Sequence, residues 1–355
     1  MKNKKIKKII GMDIGAGSVK IVTGDVQNGQ ILVRKMVTHH LPEQVFSDGD
    51  VKNPEAMTGA IRDMLRANKI TERKCHLCVD STQLITREVL VPASAGGNLS
   101  DVAKFEMAQF LPVELKNYVV QSKRIRELEV DGKPFVEASV TAFPKEMVDK
   151  LHDLVLNAGL QPLVLDTHAN AVSKLFEMQE IINGSSFKRK TVAFIELGYE
   201  STMLTIFQNG QFKFNRTIAR GGRDMDANIA KFLDIPLEEA MVKKMNAGDL
   251  NESLEDFSEE SRILNIMRSS LDSILDELEK FFRYHATRSK GMDAVEVMYL
   301  YGGLSNLKGI CGYFEGRFKT TAEKIEKVGM VDWPGNGQNH TMADYFNAIG
   351  AMARR

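Results

Sequence analysis

Apolar positions near the start of the chain fall into three short runs separated by tight polar turns. Residues 9–38 read IIGMDIGAGSVKIVTGDVQNGQILVRKMVT. A strand ends in Asp13-Ile-Gly15, a short turn reaches Ser18, a second strand leads into Gln27-Asn-Gly-Gln30, and a third follows. The same order recurs once at long range, in AFIELGYESTMLTIFQNGQFKFNRT at residues 193–217, with Glu196-Leu-Gly198, Ser201 and Gln208-Asn-Gly-Gln211 at the matching places. Asn28-Gly29 and Asn209-Gly210 are the favoured pair of a two-residue type I′ hairpin, in which both central residues take positive φ. One β-meander present twice predicts two homologous halves that face each other.

Between the copies, Met57, Ile61, Met64 and Leu65 recur at helical spacing behind an Asn53 cap, predicting a helix over 53–68, and residues 73–91 read as strands. Residues from about 85 to 165 read as a separate α/β insert. It holds a helix from Ser100 to Phe110, strands from Tyr118 to Val130 and Phe135 to Ala142 joined by Asp131-Gly132, and a helix after Pro144. Ala93-Ser-Ala-Gly-Gly-Asn98 is its flexible joint. Beyond the second meander, Gly221-Gly222 opens a helical region. Its longest helix carries Ile263, Ile266, Met267, Ser270, Leu271, Ile274, Leu278 and Phe281 at spacings of three and four, the mark of one buried face. A buried strand (Val295 to Tyr301), a Gly-Gly turn, a helix start capped by Ser305 and a last helix from Met342 to Arg355 follow. The expected division is a first subdomain of residues 1–85, 166–190 and 340–355, the insert 86–165, a second subdomain of 191–220 and 292–339, and helices over 221–291.

Composition narrows the function classes. With 43% hydrophobic and 26% charged residues among 355, the chain has the makings of ordinary globular cores, which excludes disorder as its main state. Lys+Arg and Asp+Glu are both 47, so no global basic field recruits nucleic acid. No apolar run approaches the ~18–20 residues of a membrane span, and Asp13 interrupts the stretch after the first lysines, so a cytoplasmic location is expected. Cys75, Cys78 and Cys311 are too few for a disulfide framework, and the odd spacing within Cys75-His-Leu-Cys78 points those thiols to opposite faces of a strand. His39-His40 reads as a solvated pair at a strand end, and the lysines before residue 9 as a solvated tail.

The candidate chemistry lies in the turns. Asp13-Ile-Gly-Ala-Gly-Ser18 presents successive backbone N–H groups where glycine leaves no Cβ to block a phosphate, and Lys20 adds a point charge. The counterpart Glu196-Leu-Gly-Tyr-Glu-Ser-Thr202, in the other half, allows two turns to clasp one polyphosphate. Leu300-Tyr-Gly-Gly-Leu-Ser305 offers a glycine backbone against which a flat ring lies unobstructed. His168, in Asp166-Thr-His-Ala-Asn-Ala171, reads as a helix N-terminal residue rather than a base.

These elements, with helices from Asp166 and before Gly350, resemble the actin-like ATPase superfamily: an α/β, duplicated ribonuclease H-like fold with an interdomain nucleotide cleft. IGMDIGAGSVKIV and Val102-Ala-Lys-Phe-Glu-Met-Ala-Gln-Phe-Leu-Pro112 resemble the PilM family of cytoplasmic type IV pilus assembly proteins, with FtsA as the nearest relative and the insert as the subdomain both carry. The resemblance implies ATP in the cleft, with Asp13 and Glu196 arranging Mg²⁺ through water. Gly15, Ala16, Gly17, Ser18, Lys20, Gly198, Tyr199, Glu200, Ser201 and Thr202 would surround the phosphates. Gly222, Glu239, Lys243, Gly302, Gly303, Leu304 and Ser305 would surround the adenosine, and Asp166 would orient an attacking water.

Glu196 in place of the usual Asp, the bulk of Tyr199 and a shifted register in the helix carrying Glu238 and Glu239 imply slow hydrolysis at most. The resemblance also implies a groove beside the insert for the cytoplasmic N-terminus of a PilN-like inner-membrane protein, with Phe105, Phe110 and Leu111 as its lining. Pilus assembly ATPases would act nearby, self-association is a further expectation, and the chain would sit at the inner face of the membrane through its partner. An FtsA-like filament protein and a sugar or metabolite kinase of the same fold are the rival readings. The chain stops at Arg355 directly after the connecting helix, without a linker and amphipathic helix, which argues against FtsA-like self-tethering.

Overall fold

The computed structural model describes residues 7–93, 99–108, 114–177, 179–252, 258–288, 294–333 and 341–353. It opens on the expected antiparallel meander, β1 (Lys7–Ile14), β2 (Ser18–Gln27) and β3 (Gln30–His40). Asn28 and Gly29 take φ of 51° and 81°, as the type I′ turn demands. A small hairpin, β4 (Phe46–Ser47) and β5 (Asp50–Val51), precedes α1 (Pro54–Ala67). The Asn53 side chain caps α1 by accepting the Ala56 N–H at 3.0 Å, and all four expected apolar positions are buried. β6 (Lys74–Val79) then runs parallel to β1.

The insert consists of β7 (Ile85–Pro92), α2 (Leu99–Ala108), β8 (Tyr118–Val130) and β9 (Lys133–Pro144), with sheet order β7-β9-β8. It ends there, about twenty residues earlier than the sequence reading places its boundary. The next elements, α3 (Lys145–Asn157) and β10 (Gln161–Thr167), rejoin the first half: β10 pairs with β6, and α3 buries Met147, Leu151, Leu154 and Val155 beside α1. An amphipathic helix does not name the sheet it covers, so periodicity alone leaves this boundary open. α4 (His168–Glu177) and the short hairpin β11 (Ile181–Ile182) with β12 (Ser185–Ser186) lead into the second half.

That half repeats the meander as β13 (Thr191–Leu197), β14 (Thr202–Gln208) and β15 (Gln211–Ile218), followed by α5 (Gly222–Leu233), α6 (Leu237–Asn246) and α7 (Glu259–Arg288). β16 (Val297–Tyr301), α8 (Ile310–Phe318) and β17 (Thr321–Lys324) complete it, and the chain then returns to the first half with β18 (Val331–Asp332) beside β3 and α9 (Phe346–Met352) against β1. Two expectations need correction here. Ser305 does not cap a helix: it lies in a 3₁₀ turn and donates Oγ back to the Gly302 carbonyl at 2.7 Å, while α8 begins only at Ile310, behind Gly309 at φ 77°. The final helix is likewise divided, with a 3₁₀ turn over Met342–Tyr345 before α9.

The sheet orders are β10-β6-β1-β2-β3-β18 and β15-β14-β13-β16-β17, so the repeat spans five strands rather than the three legible in sequence. Helices and sheets alternate in five layers. α1 and α3 cover the outer face of the first sheet, α5 to α8 cover that of the second, and α4 and α9 lie between the sheets. Aromatic rings fill this central layer, Phe194 stacking on Tyr299 at 5.2 Å and Phe176 meeting Phe187 edge-on at 5.0 Å. The helices approach so closely that only small residues fit. A Cβ on Gly350 of α9 would stand 2.6 Å from the Ala171 carbonyl oxygen of α4, and one on Gly11 of β1 would stand 2.0 Å from that of Ala348.

Gly11→Ala therefore has to push α9 off the sheet. We expect it to lose about 1–3 kcal/mol or more of stability in urea unfolding. Gly59→Ala, in α1 with no atom within 4 Å of the added methyl, should gain roughly 0.5–1 kcal/mol. Equal effects from the two would refute the close-approach account.

Candidate interdomain cleft and groove

Side chains alternate across a strand. On β1, Ile10, Met12 and Ile14 face α1 and α3, which turns Gly11 and Asp13 into the central layer. On β13, Ala193, Ile195 and Leu197 face the outer helices, which turns Phe194 and Glu196 inward. β16 sends Tyr299 and Tyr301 to the same layer. The equivalent acids of the two halves thus meet across one buried seam.

His168, the first residue of α4, stands between them. Its Nε2 is 2.9 Å from Asp13 Oδ1 and its Nδ1 is 3.0 Å from Glu196 Oε2. Asn347 of α9 donates Nδ2 to Glu196 Oε1 at 2.7 Å, and the Tyr301 hydroxyl donates to Oε2 at 3.4 Å. Ionised carboxylates only accept hydrogen bonds, so both ring nitrogens carry hydrogen and the ring is an imidazolium. Burial pulls His168 down, but Glu196 and Asp13 outweigh it and hold the ring well above the usual histidine range. Burial likewise pushes Asp13 up, yet His168, with help from Lys20 and Asn347, holds it below the usual carboxylate range.

The surroundings keep neutral groups neutral. Burial pushes the Cys78 thiol up to about 12, and burial with the nearby acids holds Tyr301 well above the ordinary phenol range. Asp80, whose Oδ2 accepts from Thr217 Oγ1 at 3.2 Å, is raised to about 6 by burial. Mg²⁺ does not fit between Asp13 and Glu196 in this arrangement, because the His168 ring fills the space through which a hydrated ion would bridge them.

Both glycine turns close alike, Gly15 N–H to Ser18 O and Gly198 N–H to Ser201 O, each at 3.0 Å. Those two amides are engaged within the turns, and the Thr202 hydroxyl donates to the Arg220 carbonyl at 3.0 Å, so these three expected phosphate donors are already committed. Tyr199 joins the turns. A Cβ on Gly17 would lie 2.9 Å from its Cγ, and a ring this close spans the gap between the halves. Glu200 reaches across too, accepting from Ser47 Oγ and the Asp48 N–H at 2.9 Å each. Lys20, opposite Asp13 in the β1–β2 ladder, takes part in no salt bridge among the described residues. Ala16 and Ser18 complete the first turn.

On the adenosine side, Gly302 has φ 87° and a Cβ there would stand 2.7 Å from the Leu197 carbonyl oxygen, whereas nothing lies within 4 Å of one on Gly303. Gly303 is the open surface of this seat. Leu304 packs on Gly222. Glu239 and Lys243 are not brought to it: Lys243 pairs with Glu259 at the start of α7 (2.5 Å) and lies 3.9 Å from Glu239. One residue on, about 100° around the helix, α6 turns Lys244 inward, 2.7 Å from buried Asp226 and 3.4 Å from the Gly222 carbonyl. Asp166 is also displaced from its expected role. It lies in β10, one residue before the strand's end, rather than in α4, its carboxylate is held by Lys174 (2.5 Å) and Asn170 (2.7 Å), and it borders the groove rather than the turns.

That groove, of about 830 Å³, lies where edge strands of three sheets converge. Residues 121–125 of β8, 163–167 of β10 and 210–212 at the turn into β15 border it. Val120, Ala138, Val140 and Ala142 face α2, so Val119, Gln121, Ser139 and Thr141 face the groove. Phe105 is therefore on the wrong side of the sheet to line it, standing 66% exposed on α2; Phe110 and Leu111 lie outside the described residues.

A family model described as type IV pilus assembly protein PilM matches residues 11–345. The chain belongs to the PilM family. A PilM–PilN type IV pilus biogenesis complex is similar in structure, with TM-score 0.80 and 20% identity over 97% of both chains. MreB5 of Spiroplasma citri bound to AMPPNP follows at TM-score 0.51 and 12% identity, over 91% of this chain and 92% of that one. The fold is thus actin-like. Indole-3-glycerol phosphate synthase of Leifsonia xyli subsp. xyli is 30% identical over 81 residues, 23% of this chain, and the chain spans only 31% of that relative.

In this family member Asp13 and Glu196 meet through a bridge that the sequence alone did not show. Two like-signed acids at equivalent inward positions require a cation, and His168, beside the strand end, was the available signal. The pH dependence follows from the shifts. His168 is raised when folded, so its contribution is complete below the ordinary histidine value and disappears as pH rises through the higher folded value. Asp13 is lowered, so its contribution is present above the ordinary carboxylate value and disappears as pH falls through the lower one. His168→Gln should lower stability near neutral pH by roughly 3–5 kcal/mol and flatten the alkaline limb of the thermal midpoint against pH. An alkaline limb identical to that of the wild type would refute the bridge.

Proposed function

We propose that this PilM-family chain is an actin-like adaptor of type IV pilus assembly that binds ATP in its cleft and captures the cytoplasmic N-terminal peptide of a PilN-like inner-membrane protein in its groove. The observation that carries this reading is the convergence of three strands, β8, β10 and β15, each at the edge of its sheet among the described residues. An extended peptide adds to such an edge by main-chain hydrogen bonds, while pockets for alternate side chains give specificity. Val119, Leu163, Leu165 and Phe212 supply apolar surface for anchors, and the likeness to a PilM–PilN complex supports the choice of partner. No helix among the described residues is long and apolar enough to cross a membrane, and a captured peptide would tether the chain there without one.

For the nucleotide, the paired turns, Lys20 without a salt bridge and the open surface over Gly303 support phosphate and ring binding respectively. Entry requires the Tyr199 ring to leave Gly17 and Glu200 to release the β4–β5 hairpin. Phosphoryl transfer depends almost entirely on positioning and electrostatics, and with Asp166 held by Lys174 and Asn170, binding outranks turnover in this reading.

Fluorescence anisotropy with a labelled N-terminal peptide of a PilN-like protein tests the groove. Leu163→Asp should weaken binding at least about tenfold, equivalent to ~1.4 kcal/mol, with the thermal midpoint unchanged, while Phe105→Asp should have no effect. The reverse pattern would move the site to α2. In calorimetry, Lys20→Ala should weaken ATP by a similar factor, and unaltered affinity would remove Lys20 from the phosphate site.

A further inference from the structure

We propose that the Asp13–Glu196 pair binds no divalent ion while His168 is in place, because the His168 ring fills the space between the two carboxylates and engages both. The assignment stands on geometry. Both ring nitrogens are engaged, at 2.9 and 3.0 Å, by acids from different halves of the chain, and the remaining Glu196 oxygen is met by Asn347 at 2.7 Å. His168 and Asp13 are each 5% exposed, so there is little room for water-mediated ligation beside the ring.

Magnesium prefers near-ideal octahedral oxygen coordination and gives up its waters reluctantly, so it has no means of displacing a ring held from both sides. Where this rests on the nucleotide reading, it follows that ATP binds here with little dependence on Mg²⁺.

Two measurements test this, the first without nucleotide. Mn²⁺, a hard divalent probe, is titrated into the purified full chain while the free-ion electron paramagnetic resonance signal and the thermal midpoint are followed. The wild type should leave both unchanged. His168→Ala, which leaves two buried carboxylates facing an empty space, should take up Mn²⁺ and rise in thermal midpoint by several degrees, and adding Asp13→Asn should abolish the uptake. Uptake by the wild type that is lost in Asp13→Asn would overturn the proposal, as would folded His168→Ala and His168→Gln variants that take up none. Should neither variant fold, the wild-type titration decides alone.

In the second measurement, calorimetry compares ATP binding to the wild type in Mg²⁺ and in EDTA. Affinities within about twofold are expected, whereas a loss of about tenfold or more in EDTA would overturn the metal-independent arm. Absence of ATP binding in both buffers would instead remove the nucleotide reading and leave the Mn²⁺ result to stand by itself.

Discussion

Two carboxylates buried face to face cannot both ionise without a cation between them, and much of this molecule is arranged around that requirement. Strand alternation fixes their direction: Asp13 and Glu196 occupy equivalent places in two copies of one meander, and the copies face each other. The bridging imidazolium belongs to neither sheet but to α4, which lies between them. A single ring therefore neutralises the seam and ties the first half, the second half and a connecting helix into one hydrogen-bonded unit. Asn347 extends it to α9, so both helices of the central layer touch the same carboxylate pair.

Such a seam needs a joint that brings backbones close, and small residues provide it. Ala171, Gly350, Ala351 and Gly11 let α4, α9 and β1 approach until their carbonyls fill the space a side chain would occupy. An aromatic cluster with interlocking rings fills the layer beside them, whereas at the cleft mouth Tyr199 lies on Gly17, Glu200 accepts two hydrogen bonds, and Arg223 stands 3.5 Å from Glu43. Stability is thus unevenly distributed, with a dense floor beneath a lightly fastened opening.

Most of the fold was legible in the sequence. The duplicated meander, the Asn-Gly turns, the capped α1 and the apolar face of α7 all follow from local chemistry and period. What escaped depended on contacts between distant segments. The apolar stripe of α3 suits either the insert or the first sheet, and only the pairing of β10 with β6 decides between them. A one-residue change of register on α6 separates Lys243, facing Glu259, from Lys244, facing Asp226. His168 at a helix start looks ordinary until two acids from opposite ends of the repeat are known to converge on it. Phe105 was expected to line the groove beside the insert, yet the alternation along β8 turns the groove to the other face of that sheet.

The hairpin tip at Asn209-Gly210 has a twin at Asn28-Gly29, and the second copy borders the groove. Its neighbours Gln211 and Phe212 form a bank that belongs to the second half, while β10 and α4 form the opposite bank. The groove is therefore bounded by both halves of the chain, and a ligand held by both banks is a strap across the joint between them.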